Sequence, residues 1–124
     1  MSFAFDKDSS PQQLLDELEK FLVFWFGPHR PEYGVPTEIL AKHRLPEPLR
    51  RLHAFAGRWP HPHQKQGLIF SNQDHLIPLE QMRTLPRNGR IEFLMENQGV
   101  WSCVTEPEGD DPPVYKSFEG GPWK

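Results

Sequence analysis

The chain has a single cysteine, Cys103. That excludes an internal disulfide framework and any zinc site built on several thiolates. Long apolar runs are missing too. The longest, Phe21–Phe26, falls far short of the ~18 residues that a membrane span needs. At the start, Asp6, Lys7 and Asp8 stand where a secretory signal would place a basic end and an apolar stretch. These absences lead us to expect a soluble, cytoplasmic protein with no membrane partner. What is abundant is proline, with 14 in 124 residues beside nine glycines, about twice the ~5% usual for proline. Leu, Ile, Val and Phe still make up a quarter of the chain, above the roughly 20% below which chains stay unfolded. The expectation is one domain, 1–124, of short and heavily punctuated elements.

The net charge of −3 conceals three blocks. Residues 1–41 carry seven acids and three bases, residues 42–90 three acids and nine bases, and residues 91–124 seven acids and two bases. Such asymmetry marks either a partner-binding surface or blocks that pair with one another in the fold.

Ser10-Pro11-Gln12-Gln13 reads as a capping box with proline at the first helical position. Leu14, Leu18, Phe21, Leu22 and Trp25 follow at helical spacing, and Gly27-Pro28 ends the helix. Its last turn is apolar nearly all round, which calls for burial on several sides or for a docking partner. Thr37 is placed to cap a short turn over Glu38–Leu40. A second helix is expected over 47–56, with Leu49, Leu52, Phe55 and Ala56 on one face, Arg50, Arg51 and His53 on the other, and Gly57 as its stop. Residues 58–66 form a proline-rich loop.

Beyond that loop the period changes to two. Strands are expected at 67–71, 75–79, 91–96, 99–105 and 114–118, with a helical turn at 80–85. Asn88-Gly89 and Asn97-Gln98-Gly99 supply tight turns, and 106–113 makes an acidic loop. Helices followed by strands argue an α+β fold, with N-terminal helices packed on an antiparallel β-meander.

Few residues suggest chemistry. His61, His63 and His75 could ligate a metal in an open three-histidine site, against the plainer reading of solvated loop histidines; His29, His43 and His53 are scattered. Cys103 lies on an expected strand, and neither Ser71 nor Ser102 has a nucleophile-elbow context. No glycine-rich phosphate loop occurs, and no cofactor is expected. Glu106, Glu108, Asp110 and Asp111 crowd one loop. Calcium loops need alternating ligands and a closing Glu that this stretch lacks, so a solvated face or a dock for a basic partner remains. The basic middle block, with Arg44, Arg50, Arg51, Arg58 and Lys65 near Trp59, offers a nucleic-acid alternative through phosphate contacts and base stacking. A pI of about 6.0 argues against it, because dedicated nucleic-acid domains lie above ~9.

Two stretches resemble a known superfamily. Leu45-Pro46-Glu47-Pro48-Leu49 running to Phe55-Ala56-Gly57 resembles the Leu-Pro, short helix, glycine element of the SUKH superfamily, the Smi/Knr-like cell-wall regulators and bacterial immunity proteins. Glu96 to Val104 and Asp110-Asp111-Pro112-Pro113-Val114-Tyr115 resemble its strand, acidic loop and final strand. Two features depart from that pattern. Ala56-Gly57-Arg58 stands where the family often has Asn-Gly, and the chain ends where its C-terminal helix would begin. The resemblance implies a SUKH fold, either a shorter variant without that helix or a chain cut before it, and a binding role without catalysis. It implies a cytoplasmic immunity protein whose partner is a toxin domain such as a nuclease, or else a scaffold of the kind that other members of the superfamily form in eukaryotic signalling. Glu96, Glu106, Glu108, Asp110 and Asp111 would steer a basic partner, and Trp101 and Tyr115 would anchor it.

Overall fold

The computed structural model describes residues 10–62, 67–70, 75–96 and 98–118. Helix α1 spans Pro11–Phe26. Its Ser10 Oγ accepts the Gln13 N–H while the Gln13 side chain accepts the Ser10 N–H, so the capping box forms as expected. Gly27 ends the helix at φ +102°, a left-handed conformation that glycine adopts without steric cost. A 3₁₀ turn, Pro31–Tyr33, leads to helix α2, Thr37–Leu40, which is preceded by Pro36 with no side-chain cap. Thr37 is therefore the first helical residue and not the cap. Helix α3 covers Glu47–Ala56 with Pro48 in its first turn.

The five strands are β1 His75–Leu76, β2 Arg83–Thr84, β3 Ile91–Met95, β4 Ser102–Thr105 and β5 Val114–Ser117. All pairings are antiparallel. On one side of β3, β1 pairs with Leu94–Met95 and β2 with Ile91–Glu92, so two short strands share one edge of β3. On its other side β4 and then β5 complete the meander, with Val104 opposite both Glu92 and Tyr115. One extra residue, Phe93, interrupts the β3–β4 register and packs against the helix side with Ile91.

Three expected elements come out differently. Only an isolated bridge, Pro60 to Leu68, occurs where a strand over 67–71 was expected, and Ser71 lies outside the described residues. The strand over 75–79 stops at Leu76, because Pro78 starts a 3₁₀ turn over Leu79–Gln81. Residues 83–84 are then a strand and not the end of a helical turn, since their ladder with β3 supersedes local propensity.

The core has two parts, one at each end of α3. Leu49 packs with Val35, Leu40, Leu45, Leu79 and Ile91; Ala56 packs with Leu22, Trp59 and Ile69. Between them the Pro31–Tyr33 turn crosses α3 at Gly34, where an added Cβ would stand 1.7 Å from the Ala54 carbonyl oxygen. Only glycine permits that approach. His53, expected on the polar face of α3, is buried instead. Leu68, Phe70, Leu76 and Pro78 line a cavity with it, and the Val35 N–H donates to the His53 carbonyl at 2.9 Å.

Candidate partner-binding surface

Strand β4 separates the expected binding residues into two groups. Glu96 and Trp101 lie at its N-terminal end, in the β3–β4 hairpin, while Glu106, Glu108, Asp110 and Asp111 lie in the β4–β5 loop at its other end. Four strand residues at ~3.4 Å each keep the groups about 14 Å apart along the sheet. They do not form one acidic patch.

Glu96 serves the hairpin. Its Oε2 accepts the N–H groups of Gln98 and Val100 at 3.0 and 3.1 Å, and Gly99 turns the chain at φ +74°. Asn97 lies outside the described residues. Trp101 is half-buried, with the Lys116 ammonium 4.6 Å from its ring centre. Tyr115 is half-buried under the Arg90 guanidinium, 3.6 Å from the ring centre, and Arg90 Nε also reaches Glu106 Oε1 at 3.2 Å. Glu108 pairs with Arg44. Asp110 and Asp111 are exposed and have no ion pair among the described residues. The free negative charge of this loop therefore sits on those two carboxylates.

They flank a groove that the sequence reading missed. Its lining combines Leu15 of α1 and Pro48, Leu49 and Leu52 of α3 with Phe93, Thr105, Pro112 and Val114 of the sheet and its loop; its volume is about 250 Å³. Asp111 stands at the mouth. A smaller pocket of about 90 Å³, sharing Leu15 and Pro48, lies between Pro11, Glu47, Arg51 and Asp110. One bond ties the loop to α3, with the Glu47 N–H donating to the Gly109 carbonyl at 2.8 Å, and one closes the loop on β4, with the Thr105 hydroxyl donating to the Pro113 carbonyl at 2.8 Å. The sequence signal for this groove was the pairing of Leu-Pro-Glu-Pro with Asp-Asp-Pro-Pro, two proline-stiffened segments. Their adjacency is a tertiary fact.

A second apolar surface is the end of α1. Phe24 and Trp25 are 56% and 67% exposed, and Trp25 stacks on Phe21 at 6.0 Å. Trp25, expected on the buried face, points outward, while Phe26 packs into the core with Trp59.

The three-histidine alternative cannot be assembled from the described residues, because His63 lies outside them. His61 lies edge-on to Phe26, and His75 pairs with Met95 in the sheet. Among the described residues no three His, Cys, Asp or Glu side chains are placed to hold a metal ion. His75 instead lines a cavity of about 250 Å³ together with His53. Burial lowers the His53 pKa to about 4.

Much of the basic block is engaged within the chain, although Arg44, Arg58 and Arg83 stay exposed. Arg50 donates to the carbonyls of Leu40 and His43, and Arg51 to Glu19 and Asp16, which raise its pKa further. Arg58 faces Glu80, and Arg83 bonds the buried Glu92. Trp59, considered as a base-stacking platform, is 2% exposed. Lys65 lies outside the described residues.

These elements define an α+β protein with three N-terminal helices and an antiparallel sheet. No protein-family model, curated protein or solved structure matches the chain. Among the described residues no helix is long and apolar enough to cross a membrane.

Proposed function

We propose that the protein is a non-enzymatic protein-binding module of the immunity type, with a SUKH-like fold, that neutralises a basic toxin domain such as a nuclease in the cytoplasm. The observation that carries this reading is the pinned β4–β5 loop, which sets two unpaired carboxylates, Asp110 and Asp111, beside an apolar groove. A nuclease displays cations where it holds phosphates. Carboxylates facing them speed encounter, and the apolar surface between supplies contact area. The resemblance of its short motifs to those of SUKH proteins fits the same role. Of the expected steering acids, Asp110 and Asp111 carry this proposal best, since Glu106 and Glu108 have ion pairs within the chain and Glu96 bonds its own hairpin. Trp101 and Tyr115 each carry an intramolecular cation over the ring, which a partner would have to displace.

The test is inhibition of a nuclease encoded beside this gene. The purified chain, mixed at equimolar ratio, is expected to stop DNA or RNA cleavage and to co-elute with the enzyme. Undiminished cleavage and separate elution, for every nuclease encoded next to the gene, would sink the reading.

A further inference from the structure

The groove between α1, α3 and the start of β5 has a shape and charge that select among occupants. Its pocket is apolar, so a polar side chain entering it would lose water without gaining a partner. Its rim carries Glu47, Asp110 and Asp111 against a single cation, Arg51, whose charge Glu19 and Asp16 already match. Glu47 itself lies 3.8 Å from Arg50 Nε, while the Arg50 terminal nitrogens are committed to the carbonyls of Leu40 and His43. The rim thus has surplus negative charge, and the floor has none. The two pockets share Leu15 and Pro48 and form one trough. Prolines 46, 48 and 112 stiffen its walls, and the Glu47–Gly109 and Thr105–Pro113 bonds fix their spacing, so little ordering entropy is lost on binding.

We propose that this trough is the docking site for an extended, basic segment of the partner, with one aliphatic side chain seated against Leu49, Leu52 and Phe93 and flanking Lys or Arg side chains at Glu47, Asp110 and Asp111. The proposal rests on the protein-binding reading above and narrows it to one segment of the partner. The anchor supplies affinity through apolar burial. The rim supplies register and encounter rate, because an acidic or neutral segment would leave its carboxylates unmatched.

The probe is a fluorescent peptide, acetyl-Gly-Lys-Leu-Arg-Lys-Gly-amide, titrated with the full chain and followed by anisotropy and by amide chemical shifts. Saturable binding is expected, with shifts centred on Leu15, Leu52, Phe93 and Val114. Replacing the peptide's leucine by glycine is expected to weaken it at least about tenfold, the value of one buried aliphatic side chain. The double variant Asp110→Asn, Asp111→Asn is expected to weaken it about fivefold at low salt and little at high salt. Both residues are exposed, so the fold does not depend on them. The proposal is overturned by any of three results. These are no saturation at millimolar protein, equal affinity for the glycine peptide, or shifts confined to the exposed end of α1. A dimer that Val114→Lys dissociates, with no peptide binding, would assign the trough to a second copy instead. The two readings separate in the toxin assay. If the Asn variant and Val114→Lys neutralise the nuclease as well as the parent chain does, the trough falls and the function stands. If the peptide binds in the trough while no nuclease is neutralised, the function falls and the trough stands.

Discussion

At His53 the imidazole is 1% exposed, and neither ring nitrogen has a hydrogen-bond partner among the described residues. Desolvation lowers its pKa from 6.5 to about 4, opposed by Glu80 and reinforced by His43. The unfolded chain therefore takes up a proton below pH 6.5 that the folded chain refuses until about pH 4. Stability is unaffected by this residue above pH 6.5 and declines as pH falls through that window, by up to about 3 kcal/mol at ~1.4 kcal/mol per pKa unit. His53→Leu keeps the position apolar and removes the titration. Urea unfolding at pH 7 and pH 4.5 is expected to show a smaller loss for the variant than for the parent chain; equal losses would refute the assignment. Glu92 is the opposite case, a buried carboxylate that is fully served. Arg83 Nε reaches Oε1 at 3.0 Å, and the Ser102 hydroxyl donates to Oε2 at 2.7 Å. Arg83→Ala leaves that charge half-matched and is expected to cost about 2 kcal/mol in chemical unfolding. Glu92→Gln with Arg83→Ala should recover part of the loss.

Among the elements, α1 and α3 were legible to the residue, and the reason is local. Ser10, Pro11 and Gln13 satisfy one another within the first turn, Gly27 and Gly57 stop the helices, and Pro48 occupies a position where its missing N–H is not required. Ser10→Ala removes one half of the box and is expected to cost about 1 kcal/mol, read from the thermal midpoint. The strands at 75–76 and 83–84 were less legible, because two residues carry no periodicity and each exists only through its ladder with β3. The outward turn of Trp25 and the burial of His53 also escaped the helical wheel. Each depends on what lies against the helix: nothing covers Trp25 among the described residues, whereas the turn bearing Gly34 closes over α3 near His53. The acidic loop was visible as composition, but which of its carboxylates stay free was not. Arg90 and Arg44, 16 and 64 positions away from their partners, decide that.

For the molecule as a whole, the three charge blocks fold onto one another. The basic middle block meets the first acidic block where Arg51 on α3 contacts Asp16 and Glu19 on α1. It meets the last acidic block at Arg44–Glu108, Arg83–Glu92 and Arg90–Glu106. These contacts are unequal. The Arg51 side chain is 31% exposed and forks onto Glu19 through Nε and a terminal nitrogen, at 2.9 and 3.1 Å, while Arg44 is 71% exposed and meets one exposed carboxylate. Exposed single pairs contribute ~0–1 kcal/mol, whereas two-point guanidinium contacts shared with a second acid hold geometry and charge together. Arg51→Ala also leaves Glu19, itself largely covered, without its cation. The expected order in urea unfolding is a loss of about 1–2 kcal/mol for Arg51→Ala and under about 0.5 kcal/mol for Arg44→Ala. Raising the salt concentration should keep that gap open, because a partly buried pair is screened less than an open one. Arg44→Ala would at the same time release Glu108 beside Asp110 and Asp111. The chain is then expected to bind the basic peptide more tightly at low salt, as is Arg51→Ala, which removes the one cation on the rim of the trough. Equal stability losses for the two variants would show that the charge blocks meet only as a diffuse field, with no contact carrying more than its neighbours.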